Sequence, residues 1–91
     1  MVNEVRVRVF ISGRVQGVFF RKNVIKQANK LELAGWVRNL KSGQVEAVFE
    51  GVEVNVKEMV EWCKKGPLLA QVDNVTVKSE VIKNLKHFEK R

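Results

Sequence analysis

The chain of 91 residues reads as an α+β sandwich. Three observations predict this class. Apolar residues alternate in several short stretches, two stretches between them switch to helical spacing, and glycines sit where the period changes. The order is strand, helix, strand, strand, helix, strand. Two strand–helix–strand halves joined by a central hairpin form the split arrangement called ferredoxin-like, here an antiparallel sheet with two helices on one face.

The first strand is the clearest. Val5, Val7, Val9 and Ile11 alternate with Arg6, Arg8 and Phe10, which gives one strongly apolar face. Gly13 and Gly17 then frame a short loop. From Phe20 the period changes: Phe20, Val24, Ala28 and Leu31 recur at helical spacing, while Lys22, Lys26 and Lys30 fall away from that stripe. This predicts a helix over about 18–31, its apolar face widened by Phe19 and Ile25. Gly35 opens a second strand through Trp36-Val37-Arg38-Asn39-Leu40. The turn Lys41-Ser42-Gly43 leads into a third, Gln44 to Glu50, with Val45, Ala47 and Phe49 in phase.

Gly51 closes that hairpin. A second helix over about 54–65 turns Val56, Met59, Val60 and Cys63 inward, with Trp62 adding bulk, and Gly66-Pro67 stops it because proline cannot continue a helix. Val75, Val77 and Val81 mark a fourth strand. Val72 is out of phase with them, which predicts a bulge or turn near Asp73-Asn74. A short last strand is expected around Phe88. On the outer face of the sheet, Arg6 and Arg8 meet Glu46 and Glu50, and all four are expected to look outward.

Composition sets further bounds. A chain of this length makes one domain, residues 1–91, and must commit nearly all its apolar residues to one core. The apolar share of 45% is too high for disorder. No apolar run reaches the ~18 residues of a membrane span, and Met1-Val2-Asn3-Glu4 lacks the blocks of a signal peptide, so the expected location is cytoplasmic. One cysteine and one histidine exclude an internal disulfide and a structural zinc site. Cys63, on the apolar stripe and without a base partner, reads as a small buried hydrophobe. The net charge of +7 suits an anionic ligand, but the lysines are scattered and read mostly as a solvated surface.

The stretch that carries chemistry is Ser12-Gly13-Arg14-Val15-Gln16-Gly17-Val18-Phe19-Phe20-Arg21. Glycine lets a backbone turn tightly and aim its N–H groups at one point. A helix N-terminus adds unpaired donors and partial positive charge. Together they make a seat for a phosphate-sized anion, to which Arg21 adds a planar fork of donors.

The run Val9-x-x-x-Gly13-Arg14-Val15-Gln16-Gly17-Val18-x-Phe20-Arg21 resembles the signature of the acylphosphatases. So does Gly35-Trp36-Val37-Arg38-Asn39-Leu40, with Gly43 and Val45-Glu46 behind it, and so does Gly66-Pro67 with Val72 beyond. The likeness runs from about Val5 to Phe88. It implies a small ferredoxin-like hydrolase that splits acyl phosphates into a carboxylate and inorganic phosphate, without a metal or other cofactor. It further implies that the amides of Val15, Gln16, Gly17, Val18, Phe19 and Phe20, with Arg21, bind the phosphate, and that Asn39 orients the attacking water. The chain departs from the family's usual pattern in its Lys41-Ser42-Gly43 turn, in Leu40 after the asparagine, and in its ending Phe88-Glu89-Lys90-Arg91. The expected protein is a monomer acting on a small anionic substrate, with neither nucleic acid nor membrane as partner.

Two other readings share the element order. RNA-recognition domains have it too, but they stack bases on aromatics of the first and third strands, and the third strand here carries glutamates on that face. A non-catalytic domain that keeps only the acylphosphatase shell, as found attached to larger maturation enzymes, is the other. Turnover of an acyl phosphate separates both from a hydrolase.

Overall fold

The computed structural model describes residues 2–91; Met1, read above as the start of a segment without a signal sequence, lies outside the described residues. The elements are β1 (Glu4–Arg14), α1 (Phe20–Lys30), β2 (Ala34–Asn39), β3 (Val45–Val52), α2 (Glu53–Lys65), β4 (Gln71–Glu80) and β5 (Phe88–Lys90). The five strands form one sheet in the order β4-β1-β3-β2-β5. The α+β, ferredoxin-like class is as expected, but the sheet is mixed: β5 runs parallel to β2, pairing Gly35 with Phe88 and Val37 with Lys90, while every other pair is antiparallel.

Period-two patterning decides which face of each strand is buried. Val9 and Ile11 of β1, Val37 of β2, and Val45, Ala47 and Phe49 of β3 share one face and are fully buried. Against them pack Phe20, Val24 and Ala28 of α1 and Val56, Met59 and Cys63 of α2, so both helices cover the same side. Trp62 closes the core edge-on to Phe20, ring centroids 5.8 Å apart. β5 seals the far edge by stacking Phe88 on Phe49 at 5.7 Å.

Four local expectations need correction. α1 begins at Phe20 rather than Val18, because Phe19 adopts a left-handed backbone (φ 63°) that cannot continue a helix; its ring therefore lies outside the apolar stripe and is 65% exposed. Leu40 belongs to the hairpin turn, not to β2. Val81 lies beyond the end of β4 and is exposed. The expected bulge is present: Ser12 pairs with Asn74 but Gly13 with Val72, so β4 carries Asp73 as an extra residue. Only glycine fits at position 13, where a Cβ would collide with the Gln71 carbonyl.

The fourth correction concerns the outer face. Arg6, Glu46 and Glu50 lie on that side, yet they are 3%, 4% and 5% exposed. Charged groups tolerate such burial only when paired. Glu46 accepts from Arg8 and from Arg38, each at 2.6 Å; Glu80 accepts from Arg6 at 2.9 Å and from Arg8 at 2.5 Å. Glu50 accepts the backbone N–H groups of Lys83 and Leu85, both at 2.7 Å, so the segment leading to β5 folds over it. Trp36 packs here, not in the core, with the guanidinium groups of Arg8, Arg38 and Arg91 within 5.3 Å of its ring.

Candidate active site

At the end of β1 the chain leaves the sheet and crosses to α1 through residues 15–19. Val15 is buried and anchors the crossing, and Val18 packs partly on the core. Between them Gly17 takes φ 73°, with nothing within 4 Å of where its Cβ would be; conformation alone, not space, calls for glycine there. Phe19 follows in the left-handed region. Left-handed residues alternating with ordinary ones are the backbone pattern from which anion-binding nests are built.

These amides are available. α1 has no side-chain N-cap and no acidic residue in its first turn. The first ladder bond at this end runs from the Asn23 N–H to the Phe19 carbonyl, at 3.1 Å. Among the described residues no acceptor takes the N–H groups of residues 15–22. A helix start left open in this way carries partial positive charge toward whatever binds it.

Gln16 shapes the loop through its side chain. Its side-chain amide donates to the carbonyl oxygens of Leu40 and Gln44, each at 2.8 Å. The loop is thereby tied to the β2–β3 hairpin, just past Asn39.

Asn39 ends β2 on the helix-covered face, in step with Val37. Its Oδ1 is buried and has no hydrogen-bond partner among the described residues. An orphaned buried carbonyl oxygen is uncommon and marks a place for a water or a ligand. Arg21 is half-buried in the first turn of α1 and forms no ion pair with a carboxylate among the described residues.

One cavity of about 500 Å³ brings these groups together. The loop and helix start contribute Val15, Gly17, Phe19, Phe20 and Arg21; α1 adds Lys22 and Ile25; β2 contributes Asn39; and β5 contributes Lys90. Gln16 and Val18 do not line it. The lining holds three cationic side chains and no carboxylate, which favours an anion. Lys22, Ile25 and Lys90 were not expected in the site: Lys22 was read as solvated surface and Ile25 as part of the apolar face of α1. Lys22 adjoins Arg21 and was within reach of the anion-site reading; Lys90 arrives only because β5 pairs with β2, and nothing local announces it.

A second cavity, of about 550 Å³, lies at the opposite end of the sheet beside Glu4, Gly51 and His87, and none of the sequence-predicted residues borders it. Cys63 is buried, and burial pushes its thiol well above the usual range, so it is no nucleophile. Among the described residues no three His, Cys, Asp or Glu side chains gather as a metal site, and no helix is long and apolar enough to cross a membrane.

Known proteins share this fold. The family model for acylphosphatase matches residues 7–90. A curated acylphosphatase of Trichormus variabilis is 53% identical over 85 residues, covering 93% of this chain and 84% of that protein. The solved acylphosphatase of Coxiella burnetii superposes with a TM-score of 0.94 at 43% identity, covering 98% of this chain and 94% of that one. Full-length HypF, in a phosphate- and nucleotide-bound form, contains a segment that superposes with a TM-score of 0.92 at 30% identity; it covers all of this chain and 12% of HypF. This chain belongs to the acylphosphatase family, enzymes that hydrolyse acyl phosphates to a carboxylate and inorganic phosphate.

Proposed function

We propose that the phosphoryl group of an acyl phosphate is bound by Arg21 and the main-chain N–H groups of Val15 to Phe20, and that Asn39 holds the attacking water. The observation that supports this reading is convergence: an open helix start, a guanidinium and a carboxamide oxygen that have no partner among the described residues border one cavity.

The chemistry needs little more. An acyl phosphate is a mixed anhydride whose leaving carboxylate has a conjugate acid of pKa roughly 4. It departs without protonation, so no general acid is required. The water oxygen forms a bond to phosphorus, the phosphorus–acyl oxygen bond breaks, and the carboxylate leaves with the electron pair. Phosphoryl transfer of this kind depends on positioning and charge stabilisation. Arg21 and the amides offset charge on the phosphoryl oxygens. Asn39 is too weak a base to take the proton; its Oδ1 accepts a hydrogen bond and fixes the water in line. The water's proton passes to a phosphate oxygen. With guanidinium and amides supplying the electropositive field, the mechanism uses neither metal nor other cofactor.

The same reading has the protein acting as a monomer, in the cytoplasm, on small acyl phosphates rather than on nucleic acid. Steady-state hydrolysis of benzoyl phosphate, run with and without EDTA, tests it. Turnover that survives the chelator and is competitively inhibited by inorganic phosphate is the expected result. A folded protein without turnover is a non-catalytic shell, and one that instead binds single-stranded RNA with strong salt dependence is a binding module.

A further inference from the structure

Phe19 stands where a bulky side chain is disfavoured and little visible compensates. Its backbone is left-handed, with φ 63° and ψ 24°, a region that suits glycine or asparagine. Its ring is 65% exposed, so packing does not account for its presence. Glycine would satisfy the same turn without placing a phenyl group in solvent. Strained residues of this sort gather where a ligand binds, and Phe19 borders the same cavity as Arg21 and Asn39.

That cavity has room beyond a phosphoryl group, and its apolar atoms come from few sources. Val15 and Phe20 are buried behind the loop, each 1% exposed. The reachable apolar surface is the Phe19 ring and the partly buried Ile25 of α1.

We infer that Phe19 forms the acyl-group subsite and that it selects aromatic and bulky apolar acyl phosphates over acetyl phosphate. This rests on the function proposed above, which puts the phosphoryl group against the loop amides and leaves the acyl group on the open side. An aromatic acyl group gains there by shedding water from two apolar surfaces, and by the offset or edge-on contact that aromatic pairs prefer. Acetyl, with one methyl group, gains little. Main-chain binding of phosphate is kept by any residue at position 19 that retains its N–H and accepts the left-handed backbone, so the side chain is free to set specificity.

The test compares kcat/KM for benzoyl phosphate and acetyl phosphate in the wild type, Phe19→Gly and Phe19→Leu. Phe19→Gly keeps the N–H and tolerates the left-handed backbone. The benzoyl-to-acetyl ratio is expected to fall about tenfold in Phe19→Gly, mainly through the KM for benzoyl phosphate, as for loss of one apolar contact in a specificity pocket. Phe19→Leu is expected to fall between the two. An unchanged ratio, even with both rates lowered together, overturns the subsite while leaving the hydrolase reading intact. Wild-type protein that turns over neither substrate removes the hydrolase reading and the subsite with it.

Discussion

The carboxamide of Gln16 donates to the Leu40 carbonyl at 2.8 Å, and so joins the loop ahead of α1 to the strand end that carries Asn39. The same Nε2 donates to the Gln44 carbonyl, also at 2.8 Å. Both acceptors are already used by the hairpin itself, through Gly43 N–H and Leu40 N–H respectively. Gln16→Leu therefore leaves neither carbonyl orphaned, and the stability loss is expected to be about 1–2 kcal/mol, the net worth of two hydrogen bonds. Freed from the hairpin, the loop is expected to bind inorganic phosphate more weakly. Gln16→Glu points a carboxylate at two carbonyl oxygens and is expected to be worse on both counts. Denaturant midpoints and phosphate inhibition constants check this, and a Gln16→Leu variant matching the wild type in both contradicts it.

Asn39→Ala separates water from phosphate. The phosphate contacts proposed here come from the loop and Arg21, so product inhibition by phosphate is expected to persist. Turnover is expected to drop by at least ~100-fold, the scale of losing alignment of a reacting group. A variant that loses phosphate binding but keeps its rate contradicts the water-holding role.

The outer face predicts an acid response. Hydrogen bonds from Arg8 and then Arg6 pull the Glu80 carboxyl down to about 2 from its ordinary value of 4.5. A depressed folded value means that the unfolded state binds a proton more readily. The stabilisation is present above the ordinary value and is lost as pH falls through the depressed one. Glu80→Gln is accordingly expected to be less stable than the wild type near neutrality, with the gap closing from about pH 4.5 down to about pH 2. Chemical denaturation across that range reads it, and a gap of constant size contradicts the pairing as its source.

How much of this was legible beforehand depends on the range of the interactions. β1, the β2–β3 hairpin and α2 were readable because their apolar residues repeat within each element; Gly66-Pro67 does end α2, but β1 runs one residue past Gly13 and β3 one residue past Gly51, so Gly51 does not close the hairpin as expected. The Asp73 bulge was readable as a break in phase. Burial of Glu50 was not, because it depends on N–H groups of Lys83 and Leu85, more than thirty residues away. The parallel pairing of β5 with β2 was equally hidden: Phe88-Glu89-Lys90 carries one apolar residue, and its place comes from the stack of Phe88 on Phe49. Within the site, the open loop and helix start could be read from residue types. That Asn39 faces them came only from the family resemblance, since no local pattern relates residue 39 to residue 21. Phe19 misled because helical spacing counts apolar residues without registering a left-handed backbone.

The proposed function stands on the guanidinium of Arg21 and the loop amides holding one phosphoryl group. Turnover of benzoyl phosphate by folded Arg21→Ala tests it most directly, with phosphate inhibition followed in the same assay. A rate lower by at least ~100-fold and weakened inhibition are expected, as for loss of a transition-state donor. Wild-type turnover and undiminished phosphate inhibition in that variant would contradict it.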